Sequence, residues 1–500
     1  MDGNIEHKDL TRRAAKGLSW SGAALLARIL LTLPVTAILA RLLSPKEYGI
    51  VGAALIMVDI GNVIANLGMS QVVVQRADLD QRHMGTVAFL SLLIATGLAV
   101  LQWVFAGVIA DLFRVPELNI VSRVLAFIMF ANAFNLLAEA VLSRNLKFKV
   151  SSMANLTAWT VANVGLAIPL AYLGLSYWAL VIAAMAEAIF LSGIYLITAR
   201  QYLAKPRFDL QSYREIRTQS LGFSLAGVLA FGGQYMDKII VARLLGTAEL
   251  GIYTRAFTLI AMPANLFGNL SRTVVFPLLS KVQTDEARLR SAQLKGYALT
   301  AALTLPTSAF LCCFAKEIVL TMFGPRWVDA VVPIAVFAAA MYFRVAFKLC
   351  GAVMLATGSG YRSASMQIFH AALVTSFVFL AAPYGVSAAA AAVSGAILVT
   401  FVLYSFISCR MTGLPFVDFV LVHIPPIVFA AVIYAAGSAI RMLFAGSPYY
   451  LVLAIGAFMI GTLSAVTLYL RASLLFGKCG VEVLQAVTSK KAAWLNWIPR

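Results

Sequence analysis

Long apolar runs, broken by short polar gaps, recur along almost the whole chain. A helix needs about 20 apolar residues to cross a lipid bilayer, and each of these runs is long enough. The pattern predicts an all-α polytopic membrane protein with about fourteen transmembrane helices. The predicted spans lie near residues 17–43, 48–76, 84–112, 118–143, 151–173, 176–199, 216–245, 248–280, 291–323, 328–356, 361–384, 386–410, 420–443 and 449–472.

The composition agrees with this prediction. Of the 500 residues, 61% are hydrophobic and only 12% are charged, whereas soluble domains carry about 25% charged residues. Too few charges remain to cover a surface in contact with water, so lipid must solvate most of the chain. The gaps between spans are also too short for the sizeable extramembrane domain that membrane-bound polysaccharide polymerases and ligases need. We therefore expect a transport protein and not an enzyme.

The net charge of +18 comes mostly from Lys and Arg in alternate gaps. A nucleic-acid-binding protein would concentrate such residues on one face of a water-soluble domain, so we expect no nucleic acid as a partner. Cytoplasmic loops of membrane proteins are enriched in Lys and Arg. The gaps near 76–82, 144–149, 200–217 and 281–295 are rich in them, and the intervening gaps are poorer. Both termini are therefore predicted to face the cytoplasm.

The five cysteines show no spacing typical of a metal site or a redox pair. Two of them, Cys312 and Cys313, are adjacent within an apolar run. Free cysteines often behave as small apolar side chains. We expect no metal, no cofactor and no disulfide framework.

Residues 38–50 and 240–252 form an internal repeat at a constant offset of 202 positions. Eight of the thirteen positions are identical, among them an Arg, a Glu and a Gly. Six predicted spans separate the copies, an even number, so both halves enter the membrane from the same side and must be parallel repeats. This predicts an N-lobe at 1–213 with helices 1–6 and a cytoplasmic linker, and a C-lobe at 214–412 with helices 7–12. Residues 413–500 would then hold two further helices and a cytoplasmic tail.

The first copy contains the sequence Ala40-Arg41-Leu42-Leu43-Ser44-Pro45-Lys46-Glu47-Tyr48-Gly49, and the second copy repeats it around Arg243 and Gly251. In this motif the chain resembles the polysaccharide transporter (Wzx-type) branch of the multidrug/oligosaccharidyl-lipid/polysaccharide flippase superfamily. The resemblance covers roughly residues 15–410. It implies two six-helix lobes around a central cavity. It also implies alternating access that moves an undecaprenyl-diphosphate-linked oligosaccharide across the inner membrane, for exopolysaccharide or lipopolysaccharide (O-antigen) biosynthesis.

Several ionisable residues lie inside predicted spans, where a charge is costly unless it faces a cavity or a partner. The cations are Arg28, Lys238, Arg255, Arg272, Arg344 and Lys348, and the acids are Asp59, Glu139, Glu187 and Asp237. A diphosphate that loses its hydration in a membrane cavity can be held by charge-assisted hydrogen bonds from Arg and Lys. The predicted diphosphate ligands are Arg28, Lys238, Arg255, Arg344 and Lys348.

Polar side chains at helical spacing accompany these charges and must face the protein interior in a lipid environment. The predicted cavity-lining residues are Asn62, Asn66, Gln234, Asn265 and Asn269. The candidates for coupling to an ion gradient are Asp59, Glu187 and Asp237, and no spacing selects one of them. The structural alternative is that these groups only join helices, through Arg28–Asp59 and Lys238–Asp237 pairs and Asn hydrogen bonds. Neighbouring antiparallel helices would bring Arg28 and Asp59 together near the midplane.

Two other functions in the same superfamily stay open from the sequence. A multidrug or organic-cation exporter would need an acidic cavity, whereas the predicted one is cationic. A lipid II flippase also needs buried cations, so the sequence separates it poorly from the leading interpretation. The expected partners are the lipid-linked oligosaccharide, membrane lipids, and a polysaccharide polymerase with other assembly proteins.

Overall fold

A computed structural model describes residues 2–66, 69–75, 78–281, 285–356 and 359–467. The described side chains exclude those of residues 2–19, 21, 71, 74–75, 218–232, 267–281, 352, 355–356 and 360–361. The described backbone is built from α-helices with short 3-10 and π-helical segments, and these residues form no β-strand. The prediction of an all-α polytopic membrane protein is confirmed.

The chain divides into two compact units, Met1–Gly251 and Ile252–Arg500. The helices of the first unit are α1 (Asp2–Leu42), α2 (Pro45–Asn66), α3 (Met69–Gln75), α4 (Gln81–Val104), α5 (Ala106–Phe113), α6 (Glu117–Arg144), α7 (Phe148–Thr160), α8 (Ile168–Tyr172), α9 (Trp178–Thr198) and α10 (Leu210–Leu245). A π-helical segment, Val161–Ala167, joins α7 to α8. The next helix, α11 (Thr247–Lys281), begins in the first unit and continues into the second.

The second unit is also helical throughout its described residues. Its further helices are α12 (Glu286–Cys313), α13 (Ala315–Met322), α14 (Val331–Ala339), α15 (Met341–Ala356), α16 (Gly360–Ala381), α17 (Val386–Thr412), α18 (Phe416–Leu421), α19 (Ile424–Leu443) and α20 (Tyr449–Thr467). Short 3-10 segments, Pro325–Ala330 and Ala382–Tyr384, precede α14 and α17.

Twelve segments of the described chain are long and apolar enough to cross a membrane. They coincide with twelve of the fourteen predicted spans. The two other predicted spans, 216–245 and 248–280, fall within α10 and α11, which are 36 and 35 residues long. Parts of both helices lie outside the described side chains, so the count of fourteen is not confirmed.

The central helix of the first unit is α6. It packs against α2, α4, α5 and α9, and its fully buried residues include Leu118 and Leu125. Small residues let neighbouring helices approach closely: a Cβ on Gly61 of α2 would lie 2.4 Å from the methyl carbon of Met129 on α6. In lipid, helices are held together by such close packing and by interhelical hydrogen bonds rather than by the hydrophobic effect.

The core of the second unit is built around α12 and α17. The first packs against α14, α15 and α19, and the second against α14, α15 and α16. Aromatic side chains fill this core: Tyr297 meets Phe419 edge-to-face with ring centroids 4.9 Å apart, and Tyr342 meets Phe401 at 5.5 Å. His423 lies in the same cluster, and its Nε2 hydrogen-bonds with the Tyr342 hydroxyl. Aromatic pairs contribute about 1 kcal/mol each beyond their buried area.

The outer surfaces of the helices are strongly apolar. Large side chains such as those of Phe127, Ile197, Leu380 and Met442 are more than half exposed. A contiguous surface of this kind is a liability in water, and it is the ordinary surface of a protein solvated by lipid.

The two copies of the internal repeat pack against each other where α2 and α11 begin. A Cβ on Gly49 would lie 1.7 Å from the backbone oxygen of Thr247, and a Cβ on Gly251 would lie 1.9 Å from that of Pro45. The contacts are reciprocal, because Thr247 and Gly251 are the repeat partners of Pro45 and Gly49. Only glycine permits the two helix starts to come this close. The glycine shared by the two copies therefore serves packing.

The glutamate of the first copy has a structural role as well. The Glu47 carboxylate accepts hydrogen bonds from the backbone N–H of Ser44 at 2.6 Å and from its hydroxyl at 2.7 Å. This arrangement is a capping box, with Pro45 at the first helical position. The other carboxylate oxygen accepts a hydrogen bond from the Ser176 hydroxyl. Glu47 thereby holds the loop before α9 against the start of α2.

The division into compact units falls later in the chain than the lobe boundary that the repeat predicts. The repeat places that boundary at residue 213, whereas α10, which follows it, packs against α2, α3, α4 and α5 in the first unit. The lobes at 1–213 and 214–412 stay a prediction.

Candidate functional site

Arg28, on the fourth turn from the end of α1, forms an ion pair with Glu187 of α9. Its Nη2 lies 3.4 Å from Oε1 of the carboxylate. The guanidinium carbon also lies 5.8 Å from the ring centroid of Trp159, within range of a cation–π interaction. Asn163 donates to the other carboxylate oxygen at 3.3 Å. The side chains of Arg28 and Glu187 are 42% and 33% exposed, so both can be reached by a further ligand.

A π-helical segment positions two members of this group. Trp159 lies near the end of α7, and Asn163 lies within the segment that follows it. The Asn163 amide also donates to the backbone oxygen of Trp159 at 3.1 Å. Single π-helical turns are frequent at functional sites. Neither this turn nor a role for Asn163 was predicted from the sequence, because the wider turn has no distinctive residue pattern.

The expected pairing of Arg28 with Asp59 is wrong. Asp59 instead accepts a hydrogen bond from the Tyr235 hydroxyl and lies within electrostatic reach of Lys238, both on α10. Nζ of Lys238 lies 4.5 Å from the centroid of the Tyr235 ring. The expectation rested on the adjacency of α1 and α2 in the sequence, whereas packing places α10 beside α2.

Asp237, the third predicted coupling acid, lies on α10 as well. Its side chain is buried, with only 3% of the residue exposed, and it acts electrostatically on Tyr235. The three candidate acids therefore occupy two places in the first unit, Glu187 beside Arg28, and Asp59 with Asp237 near Tyr235. Their role in ion coupling stays a prediction.

The three polar residues predicted to line a cavity in the first unit differ in their surroundings. Oδ1 of Asn66 accepts hydrogen bonds from the backbone N–H of Ser70 at 3.1 Å and from its hydroxyl at 2.7 Å, which caps α3. Oδ1 of Asn62 is buried and has no hydrogen-bond partner among the described residues. Gln234 is exposed. Asn62 and Gln234 are thus better suited than Asn66 to contact a ligand.

Arg344, on α15, is the best-defined cation inside the second unit. Its guanidinium carbon lies 4.2 Å from the ring centroid of Phe257 and 6.0 Å from that of Phe337. Such cation–π contacts contribute about 1 kcal/mol, and more when the cation is desolvated. His370 of α16 lies within electrostatic reach of Arg344, and its Nδ1 is 3.0 Å from the Thr400 hydroxyl.

The other predicted residues of the second unit lie on α11 and α15. Lys348 follows Arg344 by one helical turn, so the two cations share a face of α15, and Lys348 is exposed. Arg255 is half-buried and Asn265 is exposed. The side chain of Asn269 lies outside the described residues.

The carboxylates are distributed unequally between the two units. In the first unit, Asp59, Glu187 and Asp237 lie well inside their helices, and Glu139 lies in the last two turns of α6. Between residues 252 and 467, every acid lies close to a helix end: Asp285, Glu286, Glu317, Asp329 and Asp418. Away from their ends, the helices of the second unit up to residue 467 thus hold no carboxylate, whereas those of the first hold charges of both signs.

One ion pair of the second unit was missed by the sequence analysis. Nε of Arg441 lies 2.8 Å from Oε1 of Glu317, whose side chain is only 7% exposed. The two residues are 124 positions apart, so no local pattern could reveal the contact. The pair joins α13 to α19.

Polar contacts at the linker end of the first unit connect the starts of α4 and α10. Nδ1 of His83 lies 2.7 Å from Asp80, and its Nε2 lies 2.9 Å from Glu215. The backbone N–H of His83 donates to Asp80 and holds the pKa of that carboxyl below its ordinary value. Hydrogen bonds from the hydroxyl and backbone N–H of Ser212 likewise lower the pKa of Asp209. These groups cap helices and secure the linker.

A comparison with protein families decides the chain's membership. The polysaccharide biosynthesis protein family matches residues 38–332, which is more than half of the chain. The chain belongs to this family. The matched stretch includes both copies of the internal repeat, Arg255, and the first unit's interior carboxylates.

Curated relatives of this family member are named for the biosynthesis of succinoglycan, teichuronic acid and lipopolysaccharide. The chain is 25% identical to the succinoglycan biosynthesis transport protein ExoT of Rhizobium meliloti (strain 1021), over 66% of each protein. It is 23% identical to the teichuronic acid biosynthesis protein TuaB of Bacillus subtilis (strain 168), over 80% of each. It is 22% identical to the lipopolysaccharide biosynthesis protein WzxC of Escherichia coli (strain K12), over 65% of this chain and 66% of that one. The chain thus spans just under two thirds of the length of ExoT and of WzxC.

Solved structures identify the fold. The lipid II flippase MurJ in an inward closed conformation matches with a TM-score of 0.71 and 14% identity, over 90% of this chain and 99% of that chain. An inward-facing MATE family multidrug transporter of the MOP superfamily matches with a TM-score of 0.63 and 15% identity, over 76% and 94%. At this identity the likeness establishes the fold alone. With the family match, it confirms the resemblance to the polysaccharide branch of this superfamily.

Proposed function

We propose that this family member moves an undecaprenyl-diphosphate-linked oligosaccharide across the inner membrane for exopolysaccharide or lipopolysaccharide biosynthesis. Relatives named for succinoglycan transport and lipopolysaccharide biosynthesis support this class of cargo. The observation that carries the proposal is the cationic interior of the second unit. There Arg255, Arg344 and Lys348 occupy helices whose middle turns hold no Asp or Glu.

Arg344 is the residue best suited to bind a diphosphate. Stacking on an aromatic ring, as on Phe257, uses the face of a guanidinium and not the N–H donors in its plane. Those donors match the geometry of phosphate oxygens. Lys348 adds a second positive charge on the same helical face. A diphosphate that sheds water on entering the membrane would gain charge-assisted hydrogen bonds in return.

The first unit supplies the candidates for ion coupling under this proposal. Protonation of Glu187, or a cation bound to it, would weaken its attraction for Arg28 and make the guanidinium available to an anion. The same reasoning applies to Asp59 and Lys238. Coupling would then consist of neutralising a carboxylate so that its cationic partner can bind phosphate.

The proposal includes a topology. Both termini would face the cytoplasm, on the same side as the basic gaps near 144–149 and 200–217. Cytoplasmic loops are the ones enriched in Lys and Arg. The lobes at 1–213 and 214–412 would alternate access to a central cavity. A polysaccharide polymerase and other assembly proteins would receive the cargo on the outer side.

A deletion strain tests the proposed cargo. Lipid-linked oligosaccharide should accumulate on the cytoplasmic side, where a membrane-impermeant sugar oxidant reaches it in inside-out vesicles but not in spheroplasts. The wild-type gene should restore outward exposure. Unchanged exposure in the deletion strain would overturn the proposal. Accumulation of lipid II would favour a lipid II flippase, and retention of organic cations would favour a multidrug exporter.

A further inference from the structure

The first unit contains a cavity of about 500 Å³ at the end of its helices opposite the basic linker. The cavity lies between the start of α2, the turn from α5 to α6, and the turn from α10 to α11. All of its lining residues belong to the first unit. The predicted diphosphate ligands are not among these lining residues, so this cavity is separate from the site described above.

The lining of the cavity is positively charged. It includes three cations, Lys46, Arg114 and Arg243, and one carboxylate, Glu117. Nζ of Lys46 lies 3.2 Å from Oε1 of Glu117, so these two charges neutralise each other. Arg114 and Arg243 form no ion pair with any described residue. Two positive charges are therefore left to attract an anion.

Arg243 lines the cavity and also carries an unsatisfied donor. Its Nη1 is buried and has no hydrogen-bond partner among the described residues. Buried N–H donors are almost always satisfied, because leaving one without an acceptor costs about 1–3 kcal/mol. The Arg243 side chain also lines the cavity, so its positive charge can attract a phosphate there.

The backbone around the cavity also favours an anion. Arg114 ends α5 in a left-handed conformation, with φ 56° and ψ 40°, and its side chain is exposed. Two long helices begin at the lining residues Glu117 and Thr247. The N-terminus of a helix carries a partial positive charge and unsatisfied N–H groups.

Apolar surface next to the cavity indicates that the anion belongs to a lipid. Leu244 lines the cavity and is 45% exposed, and on α5 the side chains of Val108 and Leu112 are 61% and 47% exposed. A free phosphate ion would make no use of this surface. A lipid could place its phosphate in the cavity and its hydrocarbon chain along the exposed side chains.

We propose that this cavity binds the phosphate headgroup of a membrane lipid, through the Arg114 and Arg243 guanidinium groups. The inference does not depend on the cargo proposed above. Two lipid sources share the required chemistry, a phospholipid with one phosphate and a polyprenyl diphosphate.

The test measures lipid retention by the full-length protein with native mass spectrometry. The probes are phosphatidylglycerol, a polyprenyl diphosphate and inorganic phosphate, each titrated separately. Arg114→Gln and Arg243→Gln should each weaken lipid binding about ten-fold, since each removes a charge-assisted hydrogen bond. Lys316→Gln is the matched control, because this exposed cation lies outside the cavity and packs over Tyr449.

If Arg243→Gln fails to fold, Arg114→Gln still tests the proposal, because Arg114 is exposed. Similar loss for both lipids would support a site for bulk phospholipid, and a ten-fold preference for the diphosphate would support a site for the cargo or its carrier. Unchanged lipid binding by Arg114→Gln would overturn the proposal. Inorganic phosphate that binds as tightly as the lipids would overturn the assignment to a headgroup. A failed transport assay with intact lipid binding would affect only the proposed function.

Discussion

The two units treat charge inside the membrane differently. In the first unit, Arg28 pairs with Glu187 at 3.4 Å, and Lys238 lies near Asp59. In the second unit, Arg344 lies over aromatic rings, and every acid of the described chain there is close to a helix end. The interior cations of the first unit thus lie beside both carboxylates and rings, whereas the contacts described for Arg344 are with rings.

This difference separates two roles that a buried cation can have. An ion pair stabilises the contact between two helices, and it must be weakened before the cation can bind anything else. A cation held against aromatic rings keeps its attraction for anions, because a ring carries no net charge. We therefore expect the second unit to contribute more of the affinity for an anionic cargo, and the first unit to regulate it.

The largest effect is expected for the glycines at which the two copies of the repeat pack against each other. Gly49→Ala would place a Cβ 1.7 Å from the backbone oxygen of Thr247, so the starts of α2 and α11 must move apart. We expect the free energy of unfolding to fall by about 3 kcal/mol, as in overpacked cores. Thermal unfolding in detergent measures the change.

Gly52→Ala is the matched control for this variant. It lies three residues later on α2, and a Cβ there has nothing within 4 Å. If Gly49→Ala and Gly52→Ala unfold at the same temperature, the repeat motif is not the packing contact described above.

Removing the positive charge of Arg344 in the second unit should reduce transport. Arg344→Gln should lower the initial rate of translocation by at least about ten-fold, the value of one charge-assisted contact with phosphate. Loss of the ring contact alone should lower the free energy of unfolding by about 1 kcal/mol. Arg362→Gln, an exposed cation at the start of α16, is the control. Equal rates for the two variants would remove the distinction between the units.

Removing the acid of the first unit should mainly affect stability. Glu187→Gln leaves Arg28 without its carboxylate and should lower the free energy of unfolding by about 1 kcal/mol, because the pair is partly exposed. Combining it with Arg28→Gln should cost less than the sum of the single changes. Additive losses in this double-mutant cycle would show that the two side chains do not interact.

The smallest expected effect is a loss of thermal stability at low pH, and it comes from a carboxylate at the start of a helix rather than from a charge inside one. Hydrogen bonds from Ser212 lower the pKa of Asp209 in the folded state, so its contribution is present above the pKa of the unfolded chain, about 3.9. It is lost as the pH falls through the lower folded pKa. Between pH 5 and pH 3 the wild type should lose slightly more thermal stability than Asp209→Asn. Asp78→Asn, at an exposed loop position, should follow the wild type.

The charged residues inside apolar runs could be found from the sequence, but their contacts could not. Arg28, Glu187 and Arg344 stand out because a charge inside an apolar run is rare and costly. The partner of Arg28 was predicted wrongly, since α1 and α2 are neighbours in the sequence while Glu187 is 159 positions away. The cavity around Arg243 was not predicted, because its lining residues come from three separate turns that look like ordinary polar gaps.

The sequence by itself determined that this protein spans a membrane, that it contains two related copies of one motif, and that charged residues lie within its apolar runs. These properties follow from the length and spacing of apolar runs and from the charges of side chains along the sequence. Only the tertiary structure decided which charges meet and why Gly49 and Gly251 must be glycine. It also decided that Arg243, whose Nη1 has no hydrogen-bond partner among the described residues, lines a cavity. Such contacts depend on how distant helices pack, and in lipid that packing is set by shape and by paired polar groups rather than by hydrophobic pattern.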